Sequence, residues 1–212
     1  MRLPQIAPAS TAMALLGAST LLALPLARSA PADTAGPPGY TLNRTGTRHD
    51  FDYFEGAWTT QQHKLKARGT TSKEWQDFSA TLCMRTYLDG LVTADELYVP
   101  ARKTAGFTLR TFDIEHQQWS IYWVRSERGT LEEPPMRGGF DGNRGEFYST
   151  DEDDHRPIKV RFLWNKIDHD HARWEQAFSY DDRSWETNWT ADFTRADASK
   201  VCDNGRPKRE PG

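Results

Sequence analysis

Residues 156–195 read RPIKVRFLWNKIDHDHARWEQAFSYDDRSWETNWTADFTR, and they alternate apolar with polar side chains in three successive runs. Four of the eight tryptophans of the chain lie in this stretch. Because successive strand side chains point to opposite faces, the spacing predicts three β-strands that share one aromatic face. The residues assigned to that face are Ile158, Val160, Phe162, Trp164, Trp174, Gln176, Phe178, Tyr180, Trp185, Trp189, Ala191 and Phe193.

Two short connections predict how these strands pair. Residues 166–171 are rich in Asp and His, as suits a solvated loop, and residues 181–184 (DDRS) suit a tight turn. A shift of one residue in the pairing of either hairpin would turn its aromatic face outward. The two hairpins place their aromatic residues on the same face, so their registers support each other. The expected cross-strand pairs are Trp164–Trp174, Phe162–Gln176, Gln176–Trp189 and Tyr180–Trp185.

A further hairpin is predicted for residues 105–113 and 118–125. The sequence leaves open which of its faces points inward, because Leu109 and Tyr122 on one face are as apolar as the residues on the other. If the face with Arg110 points inward, Arg110 is a buried cation that needs an anion. The pairs expected on that face are Phe112–Trp119, Arg110–Ile121 and Thr108–Trp123.

The whole chain predicts an all-β fold. Nine or ten strands can be counted, nearly all joined by short turns, and no convincing amphipathic helix interrupts them. Short connections favour an antiparallel up-and-down arrangement, and closure into a β-barrel of about 8–10 strands would remove exposed edges. An open sandwich is the alternative. The aromatic residues 51–54 predict a short helical turn before the first strand.

The N-terminal residues 1–32 have the features of a secretory signal peptide. Arg2 precedes a short apolar run at residues 12–26, and small residues follow it. A membrane anchor or a buried helix is the alternative, although the run is short for a span of about 20 residues. We therefore expect a periplasmic or secreted protein with no stable membrane anchor after cleavage.

Charge and length narrow the function classes. The formal charge of −3 becomes −5 without residues 1–32, and no basic block is present, so nucleic acid and anionic membranes are poor partners. The remaining chain fits one domain with a sizeable core. Composition divides it into a flexible leader at residues 33–46, a barrel domain at 47–196 and a charged, disordered tail at 197–212.

The two cysteines, Cys83 and Cys202, can form a disulfide that ties the tail to a strand in an oxidising compartment. They can equally remain two unrelated thiols, because sequence spacing does not show proximity.

Several motifs resemble those of calycins, the group of barrels that includes lipocalins. Gly56-Ala57-Trp58 is similar to the Gly-x-Trp of that group, and Arg195 matches by position the arginine that lies over this tryptophan. Between about Asp50 and Arg195 the chain resembles an uncharacterised bacterial family of calycin-like proteins, a domain of unknown function. The resemblance implies a β-barrel with an internal cavity but no particular reaction. One departure is that lipocalins usually carry a C-terminal helix, which this tail does not predict. The motifs concerned are LRTFD (109–113), WSIYW (119–123), GGF (138–140), WEQAFS (174–179), WETNW (185–189) and FTR (193–195).

A barrel of this size can hold one small ligand in its interior. Tryptophan can also simply pack a core, and the amide of Gln176 can meet neighbouring side chains as well as a ligand. No nucleophile–His–acid spacing, phosphate loop or HExxH is present, and His169-Asp170-His171 lies in a loop without a third ligand, so no catalytic residue, metal or cofactor is assigned. The candidate ligand-binding residues are Trp58, Arg110, Trp123, Trp164, Trp174, Gln176 and Trp189.

Three function hypotheses follow. The first is an exported binding protein that holds a small apolar or aromatic molecule in a tryptophan-lined cavity. The second is an enzyme such as an isomerase, cyclase or lyase, in which Arg110, Tyr122, His63 or Gln176 performs acid–base chemistry, with a haem-binding barrel as a variant. The third is a structural or partner-binding envelope protein that uses the loop at residues 129–137.

Overall fold

The computed structural model describes residues 36–70 and 72–209, in which ten antiparallel strands form a closed barrel. Each strand pairs with its neighbours in the chain, and the last pairs with the first. The strands are β1 (Gly56–Leu65), β2 (Trp75–Tyr87), β3 (Val92–Val99), β4 (Thr104–Asp113), β5 (Gln118–Arg125), β6 (Met136–Asp141), β7 (Arg144–Asp153), β8 (Arg156–Lys166), β9 (His171–Ser179) and β10 (Glu186–Arg195). The all-β, up-and-down barrel is therefore confirmed, and the open sandwich is not.

Short helical and strand segments complete the described chain. A 3₁₀ helix at Asp52–Phe54 precedes β1, as predicted, and another at Pro100–Arg102 follows β3. After β10 come a one-turn helix, α1 (Ala198–Val201), and the two-residue strands β11 (Cys202–Asp203) and β12 (Arg206–Pro207). None of these helices is long and apolar enough to cross a membrane. The signal peptide expected at residues 1–32 lies outside the described residues.

The predicted registers are confirmed on both hairpins, with one exception. Trp164 pairs with Trp174 and Phe162 with Gln176, while Gln176 also lies opposite Trp189. In the other hairpin Arg110 lies opposite Ile121, on the face that points into the barrel.

The exception is Trp185, whose predicted pairing with Tyr180 on the inner face is wrong. The register between β9 and β10 shifts between Thr187 and Trp189. Such a bulge adds one residue to a strand and reverses the facing of everything beyond it. Trp185 consequently lies outside the barrel, where its indole N–H donates to the carbonyl of Pro38 at 2.9 Å and its ring packs beside Tyr148.

Seven buried aromatic rings fill one end of the barrel, which we call the closed end. Phe51 and Phe54, on and beside the first 3₁₀ helix, have no exposed surface, and Phe54 stacks on Trp58 with 5.0 Å between ring centroids. The indole of Trp58 donates to the Phe54 carbonyl at 2.9 Å, which fixes the helix against β1. The rings of the closed end are those of Phe51, Phe54, Trp58, Trp119, Phe140, Phe147 and Phe193.

Arg195 covers the outside of this end. Its guanidinium carbon lies 4.2 Å from the Trp58 ring centroid, and its nitrogens donate to the carbonyls of Tyr53 and Glu55. This is the stacking that the calycin resemblance implies for the two positions. The closed ten-stranded barrel is compatible with a calycin-like fold.

The C-terminal tail, which composition predicts to be disordered, lies along β2 and β3 up to residue 209. Cys83 and Cys202 form a disulfide with 6.2 Å between their Cα atoms. Cys83 points away from the barrel interior, since its neighbours Leu82 and Met84 belong to the core cluster. Arg209 adds an ion pair with Glu96, with 2.5 Å between nitrogen and oxygen.

Candidate functional site

Above the closed end the barrel encloses a cavity of about 570 Å³. Ligand pockets of proteins commonly span about 300–1,000 Å³, so this volume suits one small organic molecule. The cavity reaches the surface between residues 128–134, which follow β5, and residues 151–154 at the end of β7. We call this the open end of the barrel.

Three half-buried aromatic side chains form one side of the cavity, and we call Phe162, Trp174 and Trp189 the aromatic wall. Their rings meet edge to face, with centroids 4.9 Å apart for Phe162 and Trp174 and 5.5 Å apart for Trp174 and Trp189. Such contacts hold the rings in place, and each ring keeps part of its surface exposed to the cavity.

Polar side chains of β1 orient the indole of Trp189. Its N–H donates to Oε1 of Gln62 at 2.7 Å, and the amide nitrogen of Gln62 donates to the Thr60 hydroxyl at 2.7 Å. Both β1 residues are buried and lie one strand away from Trp189. The ring is therefore positioned before any ligand arrives.

Trp123 lies across the barrel from Trp189, because β5 is five strands from β10 in the ring of ten. Its indole occupies the space over Gly106 on the neighbouring β4. A Cβ atom at residue 106 would come within 1.9 Å of that ring. Glycine at this position thus lets Trp123 lie flat against the sheet and leaves the centre of the cavity open.

Arg110 and Asp95 form a buried ion pair at the base of the cavity. Arg110 is 2% exposed and Asp95 is 1% exposed, and Asp95 also accepts a hydrogen bond from the Thr108 hydroxyl at 3.0 Å. The guanidinium carbon lies 4.8 Å from the Phe51 ring centroid. The Arg110 face therefore points inward, and Asp95 on β3 is the anion that the buried cation requires.

The bulge in β10 supplies a partner for Gln176. It places Asn188 in the interior with no exposed surface, where its side-chain oxygen accepts a hydrogen bond from the Gln176 amide at 2.8 Å. The amide of Gln176 was expected to contact either neighbouring side chains or a ligand, and the structure shows a contact with a neighbouring side chain. Gln176 also lines the cavity.

Lys64, which no sequence motif marks, lines the open end from β1. Its ammonium nitrogen lies 3.7 Å from the Trp189 ring centroid. Burial, followed by repulsion from Arg68, Arg125 and Arg102, lowers the pKa of Lys64 to about 8. Glu132 offsets this only in part.

Six of the seven candidate residues line one cavity, and Trp58 does not. Trp58 lies in the closed end, with its surface covered by Phe54 and Phe193. The residues that line the cavity are Arg110, Trp123, Trp164, Trp174, Gln176 and Trp189. The place of Phe162 on the aromatic face was enough to predict that it lines the cavity. No sequence motif indicates that Lys64, Gln62 and Asp95 belong to the site.

The residues proposed for acid–base chemistry are divided between the two surfaces of the barrel. His63 faces outward, where it stacks on Trp75 at 4.2 Å and meets Asp77. All six histidines fall within the described residues, and none of them lines the cavity. In this part of the chain no group of three or more His, Cys, Asp or Glu side chains is arranged to hold a metal ion.

No protein-family model matches the chain, and no curated protein is similar to it.

Proposed function

We propose that this protein is an exported, calycin-like barrel that binds a small apolar or aromatic molecule in its cavity. The observation that carries the proposal is the enclosed space of about 570 Å³ beside the aromatic wall. A barrel whose own side chains filled its centre would have no room for a ligand. Here the rings of Phe162, Trp174 and Trp189 contact one another edge to face, line the space and remain only half-buried.

Binding is a better account of this cavity than acid–base catalysis. The cavity has no histidine, and its deepest cation, Arg110, is already neutralised by Asp95. The amide of Gln176 is engaged by Asn188. Tyr122 alternates with the cavity-lining Ile121 and Trp123 on β5 and so belongs to the outer face. The residues nominated for catalysis therefore do not converge on one reacting position.

Export and family membership are parts of the same proposal. The signal-like residues 1–32 support export, and a disulfide between Cys83 and Cys202 suits an oxidising compartment. The stacking of Arg195 on Trp58, which follows Gly56 by two residues, supports a calycin-like origin.

Binding can be tested with N-phenyl-1-naphthylamine, an uncharged aromatic dye whose fluorescence rises in apolar surroundings. Leu97→Trp would fill part of the cavity, because Leu97 lines it and is 8% exposed. We expect this variant to bind the dye at least about tenfold more weakly than the wild type, since the added ring takes the ligand's place. Dye titration, with quenching of tryptophan emission as a second signal in the wild type, measures the effect.

Leu88→Trp is the matched control, because Leu88 is 70% exposed on a turn outside the cavity. It should bind the dye as the wild type does. Circular dichroism checks that both variants fold, and Ile121→Trp is a second cavity-filling variant. Equal dye affinity in Leu97→Trp, Ile121→Trp and Leu88→Trp would place the dye elsewhere and contradict the proposed function.

A further inference from the structure

Among the described residues, Lys64 is a half-buried cation of the cavity that forms no ion pair with an acidic side chain; Arg128, which also lines the cavity unpaired, is exposed. It lies on the inner face of β1, two residues beyond Gln62, and its ammonium group contacts the ring of Trp189. Among residues 36–70 and 72–209, no carboxylate forms an ion pair with it. Its nearest strand neighbours across the sheet, Trp189 and Gln76, are uncharged.

Two of the acidic groups near the open end pair with arginines, and none of the acids that line it forms an ion pair with Lys64. Arg68 pairs with Asp153 at 2.6 Å, and Arg125 pairs with Glu132 at 2.7 Å. Asp151 also lines the cavity, but it lies on β7, four strands from β1, and is exposed. The acids of the rim therefore do not neutralise Lys64.

The charges that act on Lys64 come from every element around it and are mostly positive. They are Arg68 after β1, Arg102 on the second 3₁₀ helix and Arg125 on β5, opposed by Glu132 after β5. Burial, together with repulsion from three guanidinium groups, makes the charged form of Lys64 less favourable and so lowers its pKa. An anion bound beside Lys64 would stabilise its charged form.

The deeper cation does not compete for such an anion. Arg110 has Asp95 as its partner and is 2% exposed, so an acidic group that reaches the aromatic wall meets the ammonium of Lys64 there. Lys64 also lies directly on the aromatic wall, through Trp189. An acidic group attached to an aromatic or apolar body can therefore reach the ammonium while the body covers the wall.

We propose, on the basis of the proposed function, that the ligand is an organic anion whose acidic group binds the ammonium of Lys64 and whose apolar body rests on Phe162, Trp174 and Trp189. A carboxylate, sulfonate or phosphate would serve, because each accepts a charge-assisted hydrogen bond of about 2.7–2.9 Å from an ammonium.

Two dyes with the same ring system separate the anion from the body. 8-Anilinonaphthalene-1-sulfonate carries an acidic group, and N-phenyl-1-naphthylamine lacks it. Lys64→Met should raise the ratio of the two dissociation constants, anionic over neutral, about tenfold at pH 7, because a charge-assisted contact is lost. Lys64→Arg should keep the wild-type ratio, since the positive charge remains.

The pH dependence supplies a readout that a purely structural lysine would not give. In the wild type, affinity for the sulfonate should be constant below pH 8, the approximate pKa of Lys64, and should fall above it as the free ammonium loses its proton. The neutral dye should show no such fall, and neither should the sulfonate with Lys64→Met. Lys73→Met, at an exposed loop lysine, is the control and should keep the wild-type ratio and pH profile.

The possible failures are distinguishable. Both dyes bound by the wild type, with a ratio that Lys64→Met leaves unchanged, would overturn the assignment of an anionic ligand and leave the binding function standing. Failure of the wild type to bind either dye would overturn the proposed function and the inference with it.

Discussion

At the closed end of the barrel Phe51, Phe54 and Trp58 are fully buried, whereas at the open end Phe162 and Trp189 are only partly covered. The two ends use the same kinds of side chain and come from the same alternating strands. Rings from a short helix fill the closed end, and no such segment enters the cavity among the described residues. The difference teaches that an aromatic inner face makes a core only where something covers it.

The charged side chains differ between the ends in the same way. Arg195 lies over Trp58 and donates to backbone carbonyls, so its charge serves the fold. Lys64 lies over Trp189 and has no carboxylate or carbonyl partner among the described residues. Both are cations on tryptophan rings, but of the two only Arg195 also donates hydrogen bonds to backbone carbonyls.

The first and largest expected effect is a difference in stability between the two ends. Phe54→Ala should lower the free energy of unfolding by about 3–5 kcal/mol, because it opens a void among Trp58, Trp164 and Phe193. Phe162→Ala should lower it by only about 1 kcal/mol, because that ring already borders empty space. Urea unfolding measures both.

Binding of N-phenyl-1-naphthylamine should change in the opposite order. Phe162→Ala should weaken it several-fold, and folded Phe54→Ala should leave it nearly unchanged. Equal losses of stability from the two substitutions would show that the distinction between a packed end and a binding end is false.

The second prediction concerns the disulfide outside the barrel. Replacing Cys83 and Cys202 together by Ser should lower the free energy of unfolding by about 3–5 kcal/mol in the chain-entropy model, because the bond closes a loop of 119 residues. Dye affinity should not change, since Cys83 points away from the cavity. Urea unfolding with and without a thiol reductant checks the first expectation, and dye titration checks the second. A fall in affinity would show that the tail supports the open end as well.

Apolar and polar residues that alternate along the chain, together with short connections, were enough to predict the barrel and most of its strand registers. The pairs Trp164–Trp174 and Gln176–Trp189 depend only on turn position, and both are found. The prediction for Trp185 was wrong because a bulge at Asn188 adds one residue, and no glycine or proline marks it in ETNWT. The same bulge brings in the amide that engages Gln176.

The site was harder to predict than the fold, because its polar groups come from strands that are distant in sequence. Arg110 could be recognised as a cation in need of an anion, but Asp95 was identified only when β3 and β4 were paired in space. Trp58 was named among the candidate ligand-binding residues, yet the position of a residue along the barrel axis decides whether it lies in the core or lines the cavity. The alternation of apolar and polar residues predicts which side of the sheet a side chain lies on. It does not predict the position of that side chain along the barrel axis.

The third and smallest effect tests whether Lys64 is placed for the fold or for a ligand. Lys64→Met should raise the free energy of unfolding by about 1 kcal/mol at pH 7, since it removes an ammonium whose charged form is disfavoured by burial. The gain is small because water at the open end screens the charge and because the contact with Trp189 is lost. Urea unfolding measures it, and Lys73→Met, at an exposed lysine, should show no gain.

The sign of the pH dependence follows from the direction of the shift. The pKa of Lys64 is about 8 in the folded protein and has its ordinary value of 10.5 when the chain unfolds. Between these values the unfolded chain holds more protons on Lys64, so the destabilising contribution of Lys64 in the wild type decreases as pH rises, and Lys64→Met has no such contribution. The difference between the two proteins should therefore shrink from pH 8 to pH 10.5. A variant less stable than the wild type at pH 7 would mean that the contact with Trp189 outweighs burial, and Lys64 would then belong with Arg195 as a structural cation.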